Sequence, residues 1–178
     1  MEVILQIVPQ AKKIGTIYNA SEANSVKAML AARKLLATKG VTLEEVTIAT
    51  TGDVALAVQA LLARSPDVVW VTGDNTVLQA LEGVIRPTTA AKVPLVLNDP
   101  EFVSRGALIG VGIGWHASGL AAGKMAGRVL RGENPAGMPI LELAQRRVVL
   151  NQDVARKLGL VFPPALVAEA EAVAAPPP

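Results

Sequence analysis

The sequence contains no cysteine and a single histidine, His116. Without cysteine the chain has no thiolate nucleophile, no cysteine-ligated zinc site and no disulfide framework. One histidine is also too few for a histidine-based metal cluster. We therefore expect no metal site and no thiol chemistry in this chain.

Long apolar runs and a strong charge of either sign are absent as well. No apolar stretch approaches the roughly 20 residues of a membrane span, and the opening "MEVILQIVPQAKK" carries an acid where a signal peptide has its basic region. Seventeen Lys and Arg against 15 Asp and Glu leave a net charge of +2. No basic run is interleaved with aromatics, so we expect no signal peptide in this chain and no nucleic-acid partner.

Of the 178 residues, 51% are hydrophobic. Short β-branched runs alternate along the chain with helical patterns. The runs predict strands at 13–18, 44–49, 67–72, 94–97 and 107–111. The patterns between them predict helices near 22–38, 53–63 and 76–91 and a short turn at 100–104. Connections of this length imply right-handed βαβ crossovers and a parallel sheet that is covered on both faces. The expected fold class is α/β, a three-layer αβα sandwich with a mostly parallel sheet.

After residue 111 the pattern changes. The segment "GIGWHASGLAAGKMAGRVLRGE" predicts a helix with Gly119, Gly123 and Gly127 spaced four apart. Glycine costs a helix about 1 kcal/mol relative to alanine, so this stripe indicates close packing against another backbone. Beyond it, "RRVVLN" predicts a sixth strand and "QDVARKLGL" a last helix that Asn151 caps.

The loops that follow the five strands are all polar or glycine-rich, namely "NASEANS", "TTGD", "TGDNT", "NDPEF" and "GIGWH". Parallel sheets bind ligands at the carboxyl ends of their strands, in the crevice where the strand order reverses. The opposite edge carries ordinary turn chemistry. The sequence therefore predicts one functional edge.

Two kinds of ligand contact are expected there, each with an alternative. Asn24 and Ser25 lie in the first turn of a helix, where they can help its free N–H groups to hold a carboxylate or phosphate. The alternative is that Ser21 caps the helix and the others are solvated. Asp74 and Asp99 suit a ligand ammonium, and the alternative is that each caps the helix that follows it.

A cofactor-binding motif and a hydrolytic motif are discounted. The segment "GIGWHA" at 112–117 matches a dinucleotide-binding pattern, but it follows the fifth strand and no suitable acid stands at a strand end. No G-x-S-x-G elbow exists, and no nucleophile is paired with a base. We expect no cofactor and no enzymatic activity.

Several segments, in order, carry a resemblance to a known family: "KKIGTIYNASEANS", "VVWVTGDNTVLQALEGV", "VPLVLND", "VSRGALIGVGIGWHASGLAAGKMAGRVLRGENPAGMPI" and "VVLNQDVARKLGL". From about 5 to 162 the chain resembles the ABC-transporter substrate-binding proteins whose studied members bind aromatic amino acids. The resemblance implies a type I periplasmic-binding-protein fold, in which two αβα lobes close over a small molecule. It also implies an ABC permease as partner and a periplasmic or cell-surface location.

The chain resembles only the second lobe, because the family has a whole first lobe before the position of Leu5. On this basis we expect a linker or partial helix at 1–11, the αβα lobe at 12–112 and a glycine-rich crossover helix with its turn at 113–138. A returning strand and final helix at 139–165 and a frayed tail at 166–178 complete the division. The sequence leaves open whether this is a fragment or a natural single-lobe protein.

Carried over by position, the resemblance also implies a ligand site on the polar edge. The residues expected to meet the amino-acid backbone end of a ligand are Asn19, Glu22, Asn24 and Ser25. Those expected beside them on the same edge are Thr51, Asp74 and Asp99. Trp115 and His116 stand where the family has a tyrosine-rich segment.

Two functional hypotheses follow. In the first, the chain is the solute-binding component of an ABC importer and captures an amino-acid-like ligand at the carboxyl edge of the sheet. In the second, it is a single-lobe regulatory or assembly module that binds no free metabolite. Either way, the apolar surface of the glycine-rich helix predicts a homo-oligomer through Trp115–Leu130, and the alternative is that this helix folds back on its own sheet.

Overall fold

The computed structural model describes residues 1–140 and 146–172. The strands of these residues are β1 (Lys13–Asn19), β2 (Thr42–Ile48), β3 (Val68–Val71), β4 (Leu95–Leu97), β5 (Ile109–Ile113), β6 (Arg146–Leu150) and β7 (Glu171–Ala172). They form one sheet with the order β2-β1-β3-β4-β5-β6-β7. All neighbouring strands are parallel except β5 and β6, which are antiparallel.

The helices of the described residues alternate with these strands. They are α1 (Glu2–Ile7), α2 (Ala23–Thr38), α3 (Val54–Leu62), α4 (Asn75–Gln79), α5 (Glu82–Ala90), α6 (Trp115–Leu130), α7 (Gln152–Leu158) and α8 (Pro164–Glu169). Short 3-10 turns occupy Thr51–Asp53, Pro100–Arg105 and Pro135–Gly137. None of the helices in the described ranges has the combined length and hydropathy that a bilayer crossing requires.

The sheet buries both of its faces. Along β3, Val68 and Trp70 join one apolar cluster, and Val69 and Val71 join the other, as the two-residue period of a strand requires. Helices α1, α2, α7 and α8 cover the first face, while α3, α4 and α5 cover the second. The expected three-layer αβα sandwich with a mostly parallel sheet is confirmed.

One predicted helix is divided in the structure. Residues 76–91 form two helices, α4 and α5, with the break at Ala80 and Leu81. The N–H of Ala80 donates to the carbonyl of Val77, which tightens the last turn of α4. Leu81 at the break is fully buried. Because the apolar periodicity runs through this buried residue, the sequence pattern does not reveal the break.

The end of the described chain is more regular than we expected. Leu166 on α8 is buried in the first apolar cluster, and β7 pairs with the outer edge of β6. Residues 166–172, which we expected to fray, therefore contribute to the core and extend the sheet. The rest of the expected tail, 173–178, and the linking residues 141–145 lie outside the described residues.

Helix α6 spans the residues that the glycine-rich pattern predicts, but its packing is unusual. None of its residues is buried, and a Cβ placed on Gly119 or Gly123 would have no atom within 4 Å. Leu120 is 56% exposed and Leu130 is 87% exposed. Within the described residues the helix does not fold back on its own sheet, so that alternative is wrong. The close packing that its glycines indicate has no partner in the described part of the chain.

Candidate functional site: a polar cluster at the carboxyl edge of the sheet

The candidate site lies where the strand order reverses. Strand β2 lies on one side of β1 and β3 lies on the other, so the carboxyl ends of β1 and β3 flank the crevice that such sheets use for ligands. Asn19 ends β1, and Asp74 follows β3. The backbone N–H of Asn19 donates to Oδ2 of Asp74 at 2.8 Å, so the two loops are joined directly.

Asp74 is fully buried and uses both carboxylate oxygens within the protein. Oδ2 also accepts a hydrogen bond from Oγ of Ser25 at 2.7 Å, and Oδ1 accepts one from the N–H of Val77 at 3.0 Å. The second bond caps α4, as the capping alternative predicts. Asp74 and the equally buried Ser25 therefore hold β1, α2 and α4 in a fixed arrangement beneath the surface of the edge.

Glu22 fastens the start of α2 to the start of α4. Its carboxylate accepts hydrogen bonds from the N–H and Nδ2 of Asn75, both at 2.9 Å, and from the N–H and Oγ1 of Thr76 at 3.0 and 2.8 Å. Burial by itself raises the pKa of Glu22, but these bonds outweigh it and lower the pKa to about 2. The carboxylate is therefore ionised throughout the physiological range and supports the positive end of α4.

Ser21 does not cap α2. The residue before that helix is Glu22, whose side chain makes no capping bond to α2, and the N–H of Ser21 donates to Oδ1 of Asn19 at 2.9 Å. The side chain of Asn24 donates to the carbonyl of Gly73 at 2.8 Å. The polar residues at this junction thus join three loops, which is more than a single helix cap requires.

The amino end of α2 keeps free hydrogen-bond donors. Val26 is the first residue of the helix whose N–H finds a backbone acceptor, the carbonyl of Glu22. In the described part of the chain, no acceptor is present for the N–H groups of residues 23–25. These groups form the positive end of a 16-residue helix, where a carboxylate is favoured.

Asp99 differs from the other acids of this edge because one of its oxygens is buried without a partner. The residue is 7% exposed. Its Oδ1 accepts a long hydrogen bond of 3.4 Å from Nε1 of Trp115, whereas its Oδ2 has no partner among the described residues. Burial raises the pKa of Asp99, the bond from Trp115 lowers it, and the charge of Glu101 raises it, with a net upward shift.

Asp99 does not cap the turn that follows it, so the capping alternative is wrong for this residue. Asp99 stands at the cap position of the turn Pro100–Arg105, yet its side chain makes no capping bond. An unpaired buried carboxylate oxygen costs folding free energy, and such groups are uncommon enough to need an explanation. A cationic group on a ligand would supply the missing donor.

Asp99 and the start of α2 flank the same residue. Oδ2 of Asp99 lies 3.5 Å from the position that a Cβ would take on Gly73, and the carbonyl of Gly73 accepts the bond from Asn24. A free carboxylate oxygen and a set of free N–H groups are thus brought to one part of the edge. That pair of features is complementary to the ammonium and carboxylate of an amino acid.

Glycines on β5 allow the loop of Asp99 to lie where it does. A Cβ on Gly112 would overlap the carbonyl oxygen of Asn98, and one on Gly110 would lie 2.6 Å from Cα of Pro100. Trp70 fixes the same loop from below, because its Nε1 donates to Oδ1 of Asn98 at 2.9 Å. Close packing of a loop therefore explains Gly110 and Gly112, the second of which begins the segment that resembles a dinucleotide motif.

The turn that Thr51 begins contacts α4, but among the described residues no side-chain hydrogen bond joins Thr51 to this cluster. Thr51 begins the exposed turn Thr51–Asp53, next to the two hydrogen bonds that Thr50 donates, from its N–H and its Oγ1, to Oδ2 of Asp53. Conversely, the sequence pattern does not predict Gly73 and Trp115 as parts of the site. In the sequence Trp115 stands out only as a substitution, because its indole bond to Asp99 depends on the start of α6 lying beside the loop after β4.

Comparisons with known proteins identify relatives of this chain. The family model described as "ABC transporter substrate binding protein" matches residues 1–174. A tyrosine-binding protein of Clostridioides difficile (strain R20291) is 29% identical over 160 residues, which are 90% of this chain and 46% of that protein.

Three solved structures resemble the chain over nearly its whole length. A conserved domain protein from Vibrio cholerae is 33% identical with a TM-score of 0.85, and the match covers 96% of this chain and 57% of that one. An ABC domain in complex with L-Trp from Streptococcus pneumoniae is 30% identical, with a TM-score of 0.85 and coverage of 97% and 58%. A ligand-free, open substrate-binding protein with adhesive properties from Clostridium difficile is 28% identical, with a TM-score of 0.75 and coverage of 98% and 58%.

The chain spans about half the length of the curated relative and 57 to 58% of the solved structures. Coverage of this size is compatible with the expected correspondence to a second lobe. The match over residues 1–174 and the shared α/β architecture lead to one conclusion: the chain belongs to the family of ABC transporter substrate-binding proteins.

Proposed function

We propose that this chain is the solute-binding lobe of an ABC importer and that it captures an amino-acid-like ligand at the carboxyl edge of its sheet. The observation that carries the proposal is the buried Oδ2 of Asp99, which has no partner among the described residues. This oxygen has almost no surface open to solvent, so in the proposal the side chain of Asp99 turns toward the cleft, where a ligand ammonium supplies the charge and the hydrogen-bond donor that the oxygen lacks.

The other end of the ligand is held at α2. The free N–H groups at the start of that helix, with Asn24 beside them, take the ligand carboxylate. Trp115, which is 59% exposed, offers its ring to the ligand side chain. Glu22 and Asp74 do not reach the ligand in this proposal, because their oxygens are occupied in holding α2 and α4 in position.

The names of the relatives support this ligand class. One is a tyrosine-binding protein and another was solved with L-Trp, so an aromatic amino acid is the first choice of ligand. In this proposal the protein is not an enzyme: it binds and releases its ligand unchanged, delivers it to an ABC permease, and acts in the periplasm or at the cell surface.

Thermal melting with a panel of the standard L-amino acids tests the proposal. It is run on this chain and on a version joined to the first lobe of the Streptococcus pneumoniae protein, because a ligand held from one side only loses much of its desolvation. We expect L-tryptophan or L-tyrosine to raise the melting temperature of the joined version most. If no amino acid shifts either protein, the proposal is wrong.

The exposure of α6 favours a second candidate function, a regulatory or assembly module. A groove of about 720 Å³ runs along this helix, lined by Trp115, His116, Gly119, Leu120, Gly123, Lys124, Gly127, Arg128 and Arg131. Its apolar side chains and open glycines suit packing against another backbone. In this candidate function a second copy of the chain packs there, and the protein is a homo-oligomer through Trp115–Leu130.

Light scattering at micromolar concentration separates the two candidates. The assembly module requires a dimer or larger species that forms without any amino acid. A strict monomer that binds an amino acid would support the solute-binding function and exclude the assembly function. An oligomer that binds no amino acid would support the assembly function and exclude solute binding.

A further inference from the structure

A second concave surface lies at the opposite edge of the sheet from the polar cluster. It is a cavity of about 790 Å³ that is open to solvent, a size in the usual range of small-molecule sites. It lies where β4 and β5 begin, between the second half of α5 and the helix α7. Its apolar lining comes from Ile85, Val93, Leu95, Val154 and Leu158.

The floor of the cavity is part of the packed core. Leu95 is 2% exposed and Ile85 is 5% exposed, so neither moves without disturbing the packing around it. Val93, Val154 and Leu158 are half-buried and complete the lining. A molecule seated here removes this apolar surface from water, which favours binding.

The rim of the cavity is cationic. Arg86, Lys92, Arg105 and Lys157 line it together with a single acid, Glu82. That acid is already paired, because Arg105 donates to its Oε1 at 3.1 Å and Arg86 lies 3.8 Å from its Oε2. Among the described residues, neither lysine has a carboxylate within ion-pair distance.

Helix ends explain the lysines in part. Lys92 follows the carboxyl end of α5 and Lys157 lies in the last turn of α7, where the helix dipole favours a cation. The dipole accounts for a positive charge at each helix end, but it does not account for an apolar cavity between the two charges. The cavity and the unpaired charges together are complementary to a molecule with an apolar body and an anionic head.

We propose that this cavity binds a small amphipathic carboxylate. Its apolar body packs against Ile85 and Leu158, and its carboxylate lies between Lys92 and Lys157. The site is independent of the amino-acid site, since the two lie at opposite edges of the sheet and share no residue.

The test uses decanoate, below the concentration at which it forms micelles, with calorimetry and amide NMR of the whole chain. We expect saturable 1:1 binding that is at least about tenfold tighter than that of decyltrimethylammonium or decanol. The amide signals of Gly106 and Leu158, which line the cavity, should shift most. Lys92→Glu and Lys157→Glu should each weaken binding about tenfold or more.

Lys34→Glu is the matched control, because Lys34 is exposed on α2 and the substitution changes the net charge equally. It should leave decanoate binding unchanged, as should Asp99→Asn. Equal affinity for the three ten-carbon molecules, equal weakening by Lys34→Glu, or no saturable binding would each overturn the proposal. Circular dichroism checks that each lysine variant is folded. If one of the two misfolds, the other still tests whether a lysine at the rim binds the carboxylate.

Discussion

At the scale of single residues, Asp74 and Asp99 illustrate how one residue type takes two roles at one edge. Both precede a helical segment and both are buried. Asp74 uses its two oxygens to join β1, α2 and α4, whereas Asp99 leaves Oδ2 unpaired among the described residues. We assign the structural role to Asp74 and propose the ligand-binding role for Asp99.

Asp99→Asn should stabilise the protein while it weakens ligand binding. Asparagine keeps the size of the side chain and removes a buried charge that lacks a partner, which should raise the free energy of unfolding by about 1 kcal/mol. Urea denaturation measures this change, and Asp153→Asn on the exposed face of α7 serves as the control. A loss of stability would show that Asp99 has a structural partner.

As the pH is lowered, ligand affinity should begin to fall at a higher pH than it would with an aspartate of ordinary pKa. The pKa of Asp99 is raised by burial, so the carboxylate takes up a proton, and loses its attraction for an ammonium, at a higher pH than usual. Calorimetric titration with L-tryptophan between about pH 4 and 8 measures the effect. An affinity that does not change until the ordinary aspartate range would contradict this role of Asp99.

Glu22 should contribute to acid stability. Its folded pKa of about 2 lies below the ordinary value of 4.5, so its contribution is present above 4.5 and is lost as the pH falls toward 2. Glu22→Gln should lower the free energy of unfolding at neutral pH by about 1 to 2 kcal/mol. Denaturation at several pH values checks this: the difference between the two proteins should shrink in acid, and a constant difference would argue against the hydrogen bonds to α4.

At the scale of elements, the sequence predicted the parts that depend on periodicity. The first six strands and the long helices α2 and α6 appear with nearly their predicted bounds, because their apolar patterns are regular. The break between α4 and α5, the helix α8 and the strand β7 were not predicted. The break and α8 depend on tertiary packing, of Leu81 in one case and of Leu166 in the other, and β7 depends on its pairing with β6.

The loop that carries Asp99 should depend on a glycine of β5. Gly112→Ala places a Cβ on the carbonyl of Asn98, so the loop must move, and we expect a stability loss of about 1 to 3 kcal/mol together with weaker ligand binding. Gly137→Ala is the control, because a Cβ there meets no atom within 4 Å. Unchanged ligand affinity in Gly112→Ala would show that the position of the loop does not govern binding.

Substitutions in helix α6 should show whether this helix is exposed or packs against another copy of the chain. In an isolated, exposed helix Gly119→Ala adds about 1 kcal/mol of stability, whereas in a close helix contact the added methyl group disrupts assembly. Leu120→Glu should dissociate an oligomer and leave the sheet folded. Light scattering and circular dichroism measure both variants, and an undisturbed oligomer would place the contact elsewhere.

At the scale of the whole molecule, the location of the candidate site was predictable but the roles within it were not. Parallel strands place their carboxyl ends together, so the polar loops after β1, β3 and β4 had to meet at one edge. Which side chains are satisfied there depends on contacts between distant segments, such as the bonds from Asn75 and Thr76 to Glu22. A local sequence pattern does not predict such contacts.

The whole molecule also presents an open face next to that edge. Ile113 and the exposed apolar side chains of α6 adjoin the loop of Asp99 through Trp115. Ligand binding and association through α6 are therefore expected to influence one another, since both involve Trp115.

A calorimetric comparison of two ligands tests whether the free oxygen of Asp99 recognises a ligand ammonium. L-Tryptophan and indole-3-propionate, which keeps the ring and carboxylate but lacks the amine, are titrated into the wild-type chain and into Asp99→Asn. We expect the wild-type chain to prefer tryptophan by about tenfold or more, and we expect Asp99→Asn to remove this preference. Equal affinity for the two compounds in the wild-type chain, or a preference that survives in Asp99→Asn, would contradict it.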